Sequence, residues 1–86
     1  MNTTQIIAKL IEKGCIVEYF YNSGIELVYE DTYFSITATV REETFEISVR
    51  DKEEKEIVMS LDVNIERLTE ERLEEILRLA DAAATK

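Results

Sequence analysis

Between Cys15 and Val63 apolar and polar residues alternate with a period of two, in five runs separated by short turns. A period of two puts successive side chains on opposite faces of a strand. Connections this short join only antiparallel neighbours, because a parallel crossover needs a dozen or more residues. The pattern therefore demands an antiparallel meander with one buried and one wet face.

The first run, Cys15 to Tyr21, ends at the turn signal Asn22-Ser23-Gly24. In the second, Ile25, Leu27 and Tyr29 alternate with Glu26, Val28 and Glu30. Asp31-Thr32 leads into Tyr33–Arg41, where Phe34, Ile36, Ala38 and Val40 oppose Tyr33, Ser35, Thr37 and Thr39. Glu42-Glu43 turns the chain into Thr44–Arg50, with Phe45, Ile47 and Val49 on one face. A wholly charged loop, Asp51 to Lys55, precedes Glu56–Val63, where Ile57, Met59, Leu61 and Val63 alternate. The first run differs from the rest: Cys15, Val17, Tyr19 and Tyr21 oppose Ile16, Glu18 and Phe20, so neither face is purely polar. One aromatic set is then exposed unless a helix, a loop, a partner or a second copy covers it.

Helices flank the strands. Ile6, Ile7, Leu10 and Ile11 recur at one-face spacing over residues 3–13. Asn2 and Gln5 resemble a capping box, and Lys13-Gly14 is a stop. Near the other end Thr69 is a candidate N-cap, with Glu70 and Glu71 at the positive end of the helix dipole. Leu73, Ile76, Leu77, Ala80 and Ala84 make the stripe, and Glu74 and Arg78 stand four apart as an ion pair. Asn64 to Leu68 reads as a loop or as an earlier turn of that helix, and Ala82 to Lys86 as a frayed tail. Both stripes need a surface and the sheet offers one. The expected fold is a single two-layer α+β domain over residues 1–86, in the order α-β-β-β-β-β-α, with both helices on one face.

Composition narrows the chemistry. Ten Lys and Arg stand against nineteen Asp and Glu, a net charge of −9, which repels nucleic acid and anionic lipid alike. Direct nucleic-acid binding and a membrane partner are therefore not expected, and no segment reaches the roughly 20 apolar residues of a span. The beginning of the sequence has no basic region followed by an apolar run, and one unpaired cysteine suits a reducing compartment, so a cytoplasmic location is expected. Cys15, with no cation near it in sequence, reads as a packing thiol. Without histidine, neither a His/Cys zinc site nor a histidine-based triad can be built. Two glycines make no phosphate-cradling loop. Acids at 51, 53, 54 and 56 lack the glycine and spacing of an EF-hand loop. No cofactor, no metal and no enzymatic activity are expected.

Two features suit a protein partner. Carboxylates at Glu18, Glu26, Glu30, Asp31, Glu42, Glu43, Glu46, Asp51, Glu53, Glu54, Glu56 and Asp62 lie on strand faces or in turns of the meander. A sheet displaying acids in this way imitates a run of phosphates before a basic nucleic-acid channel, although the same acids also serve as a solubilising surface. Tyr19, Phe20, Tyr21, Tyr29 and Tyr33 cluster in the first strands, and tyrosine among acids supplies a desolvated anchor.

The opening, Met1-Asn2-Thr3-Thr4-Gln5-Ile6-Ile7 through Lys13-Gly14-Cys15-Ile16-Val17, resembles the start of small acidic phage-encoded anti-CRISPR proteins. In those, a short amphipathic helix leads into an antiparallel sheet, and some block RNA-guided nucleases at the site that reads the protospacer-adjacent motif. The alanine-rich C-terminal helix departs from that pattern. The resemblance implies a non-enzymatic inhibitor acting in a bacterial host, with a basic nuclease as its partner. The residues expected to dock are Tyr21, Glu26, Glu30, Asp31, Tyr33, Glu42, Glu43 and Glu46. The alternative is a homo-oligomeric adaptor, a dimer paired through first strands or sheet faces.

Overall fold

The computed structural model describes residues 1–85 of the 86. The chain runs α1 (Thr3–Glu12), β1 (Ile16–Tyr21), β2 (Gly24–Glu30), β3 (Phe34–Arg41), β4 (Thr44–Asp51), β5 (Glu56–Asn64), a 3-10 turn (Ile65–Arg67) and α2 (Glu70–Ala83). The strands form one open antiparallel sheet in the order β1-β2-β3-β4-β5. The two-layer α-β5-α arrangement that the alternation demanded is the arrangement found.

The core lies under one sheet face. Phe34, Ile36, Ala38 and Val40 of β3 and Phe45, Ile47 and Val49 of β4 are buried with Leu27 of β2. Ile6 and Leu10 of α1 and Leu73, Ile76, Leu77 and Ala80 of α2 complete the same cluster. α1 packs over β3, and α2 over β4 and β5. Both helices therefore cover one face and leave the other free.

Local chemistry accounts for the helix ends. Asn2 Oδ1 accepts the Gln5 N–H at 2.9 Å, and Gln5 Oε1 accepts the Asn2 N–H at 3.0 Å, which is the full capping box. α1 stops at Gly14, whose φ of 101° lies where a Cβ is strained. Thr69 caps α2 by accepting the Arg72 N–H at 3.1 Å. Glu74, which its spacing pairs with Arg78, reaches across to Lys9 of α1 at 3.3 Å, beside the Glu70–Lys9 bridge at 3.1 Å. Residues 65–67 are a separate 3-10 turn, because Asn64 Oδ1 takes the Glu66 N–H and Ile65 and Leu68 are pulled into the core. Of the tail expected to fray, Ala82 and Ala83 are helical, and Lys86 lies outside the described residues.

Two bulges overturn parts of the alternation. In β1 the pairing steps from Val17–Leu27 to Tyr19–Glu26, leaving Glu18 as an extra residue. Val17 keeps the core face, while Tyr19 and Tyr21 move to the free face with Glu26. The reading that placed Cys15, Val17, Tyr19 and Tyr21 together therefore fails at Glu18. In β5 the pairing steps from Val49–Met59 to Arg50–Ile57, with Val58 extra. Ile57 is thereby turned to the free face, away from Met59, Leu61 and Val63. One inserted residue inverts every side chain beyond it.

Candidate functional site

The helix-free sheet face carries the residues that chemistry can use. Register across the strands builds a row: Tyr19 of β1, Glu26 of β2, Thr39 of β3, Glu46 of β4 and Asp62 of β5. Adjacent strands lie about 4.8 Å apart. Glu46 and Asp62 are direct cross-strand neighbours, and Glu26 stands about 10 Å from Glu46 across β3. The row below it is uncharged: Ile16, Val28, Thr37, Ser48 and Ser60.

The acids of this row differ in their engagements. Tyr21 donates its phenolic hydrogen to Glu26 Oε2 at 2.6 Å. That bond, then burial and the Glu26 charge, raise the Tyr21 phenol above its ordinary value of 10.0. The Tyr21 ring stacks on Tyr19 with centroids 6.2 Å apart. Arg41 reaches Glu46 at 3.0 Å. Opposed like charges destabilise a strand pair, and Arg41 offsets that cost on the Glu46 side of the Glu46–Asp62 pair.

The eight residues expected to dock do not form one patch. Tyr21, Glu26 and Glu46 share the free face, and Glu30 lies at its far end. Glu30, Asp31 and Tyr33 sit at the β2–β3 end, about 20 Å along the strands from Tyr21. There Lys52 bridges to Glu30 at 3.5 Å and donates to the Asp31 carbonyl at 2.9 Å. The Asp31 carboxylate serves its own turn: Oδ1 accepts the Tyr33 and Phe34 N–H groups at 2.8 and 2.7 Å. Those bonds, the Phe34 one foremost, hold its carboxyl below the ordinary range. Glu42 and Glu43 occupy the β3–β4 turn at the opposite end, beside Asn64 and Glu66. The Glu43 carbonyl accepts the Ile65 N–H at 2.9 Å.

Asp62, Tyr19 and Arg41 belong to the face and were not among the expected site residues. For Asp62 a signal existed: its alternation with Leu61 and Val63 sets it on the polar face, although only the bulge at Val58 sets it opposite Glu46. Tyr19 was hidden by the bulge at Glu18.

Elsewhere the titratable groups have structural work. Cys15 is buried, and burial raises its thiol above the ordinary 9.0, the Asp81 charge adding to the effect. The Lys9 ammonium is raised by its hydrogen bonds to Glu70 and then Glu74. Asp51, only 7% exposed, accepts the Glu53 and Glu54 N–H groups at 2.9 and 3.0 Å and so shapes the charged loop. Among the described residues no three His, Cys, Asp or Glu side chains converge as metal ligands. No helix among them is long and apolar enough to cross a membrane. No protein-family model, curated protein or solved structure matches the chain.

Proposed function

We propose that the protein is a non-enzymatic inhibitor that seats its free sheet face in the basic nucleic-acid-binding site of another protein, a CRISPR effector nuclease being the target class. The observation that carries this reading is the row Glu26, Glu46 and Asp62 on a helix-free face. A folded sheet holds these carboxylates at fixed spacing, so they meet a cationic channel without the ordering cost of a flexible acidic tail. Tyr19 and Tyr21, stacked at the end of the row, supply an apolar anchor beside the charges. The net charge of −9 steers such a face toward a basic partner and away from nucleic acid itself.

The test is capture from a nuclease-treated bacterial lysate with stepped salt elution and mass spectrometry. The native chain is run beside a variant carrying Glu26→Gln, Glu46→Gln and Asp62→Asn. A basic nucleic-acid enzyme held by the native chain, released by moderate salt and lost by the variant, is the expected result. Equal retention by both chains would sink the mimicry mechanism.

A further inference from the structure

β1 is an edge strand, paired to β2 on one side only. Its side chains do not behave like those of a finished edge. Ile16 is 70% exposed, Tyr19 55%, Phe20 77% and Tyr21 50%. Natural sheets guard their edges with charge, proline, a bulge or a covering element. Here the charge and the bulge both fall at Glu18, and no helix or loop of the described residues covers Ile16 or the run Tyr19 to Tyr21. The opposite edge, β5, exposes two large apolar residues, Ile57 and Val58, and carries Glu56 and Asp62.

The geometry points to a second copy of this chain as the occupant of the β1 edge, with the two β1 strands paired antiparallel about a twofold axis to give one ten-stranded sheet. Two arguments select a second copy. The first is charge. Each copy carries −9, so most approaches between copies are repulsive, and of the two edge strands β1 carries one charge where β5 carries two. The second is area. An aromatic side chain presents roughly 150–250 Å², so the exposed fractions of Tyr19, Phe20 and Tyr21 leave about 400 Å² to be covered. With Ile16 and the twofold mate included, on the order of 1,000 Å² of exposed side-chain surface flanks the new strand boundary, and antiparallel pairing covers the part of it that faces across that boundary. Pairing also satisfies the outward-facing N–H and C=O groups of the edge. The arrangement is isologous, so it closes at two copies. It does not depend on the inhibitory reading: it leaves Glu26, Glu46 and Asp62 uncovered on strands away from the β1 edge, and it takes the flanks of Tyr19 and Tyr21 while their outer ring faces stay with the free sheet face.

Sedimentation equilibrium from micromolar to millimolar concentration tests this on the full chain. A species approaching twice the 10.0 kDa chain mass is expected, and added salt should tighten it by screening the repulsion. Salt acts in the opposite direction on the complex proposed above, so the two readings fail separately. Phe20→Glu should raise the dissociation constant about thirtyfold or more while circular dichroism stays native. Ile57→Glu, on the far edge, should leave the dimer as it is. Amide exchange should slow in β1 as the native chain is concentrated. A monomer across the whole series in high salt, or a dimer untouched by Phe20→Glu, would overturn the pairing.

Discussion

Asp31 shows how one carboxylate is claimed by structure before function. Its oxygen takes two backbone N–H groups of the turn it begins. The folded carboxyl titrates below the 3.8 of the unfolded chain. Its contribution is therefore complete above that pH and is lost as the pH falls through the lower, folded value. Asp31→Ala is expected to destabilise the protein at neutral pH and to flatten the acid limb of its stability profile; urea melts at a series of pH values check this. An acid limb of unchanged slope would mean that this turn is not held by the carboxylate. Lys55 offers the reverse case, a lysine at φ 58° in the β4–β5 loop. A left-handed residue with a Cβ costs about 1–2 kcal/mol, so Lys55→Gly should recover up to about 1 kcal/mol in the same assay. The Asn2–Gln5 box and the Thr69 cap were legible in the sequence, because a cap needs only the right side chain at the right offset. The roles of Asp31 and Asp51 were not, since a charged turn reads alike whether its acids face water or their own backbone.

At the scale of elements the two bulges decide which residues meet solvent. Val58 is the surplus residue of β5, so deleting it leaves Ile57 opposite Arg50 and Met59 opposite Val49. The shortened chain should fold with the same core and melt within about 5 °C of the native one, a change on the order of 1 kcal/mol. Deleting Asp62, which sits in regular register with Glu46, should instead turn Ser60 inward opposite Ile47 and Leu61 outward opposite Glu46. That variant is expected to lose several kcal/mol, comparable with truncating large core side chains at about 2–5 kcal/mol each. Thermal melts of the two deletions check this, and equal losses would refute the assigned bulge. β3 and β4 could be read residue by residue, as Phe34–Val40 and Phe45–Val49 alternate without a break. β1 could not, because a bulge is a cross-strand event: the mismatch exists only once β2 sets the register.

For the whole molecule, −9 in a body of 34 × 27 × 20 Å is a standing self-repulsion. Stability should therefore rise with added sodium chloride, by about 5 °C from low to physiological ionic strength, as read by calorimetry. Part of that gain should vanish in the Glu26→Gln, Glu46→Gln, Asp62→Asn variant, whose face no longer opposes like charges. The sequence by itself determined the architecture: period-two runs with short turns allow only an antiparallel meander, and two amphipathic helices must share its apolar face. These are consequences of local geometry and of burying apolar surface, and both are written along the chain. The tertiary structure alone decided which residues share the candidate site. It gathered Glu26, Glu46 and Asp62 from three strands into one row, separated Glu30, Asp31 and Tyr33 from Glu42 and Glu43, and turned Tyr19 and Ile57 to the free face. Neighbours across a sheet are fixed by register, and register is a property of paired strands that no single strand carries.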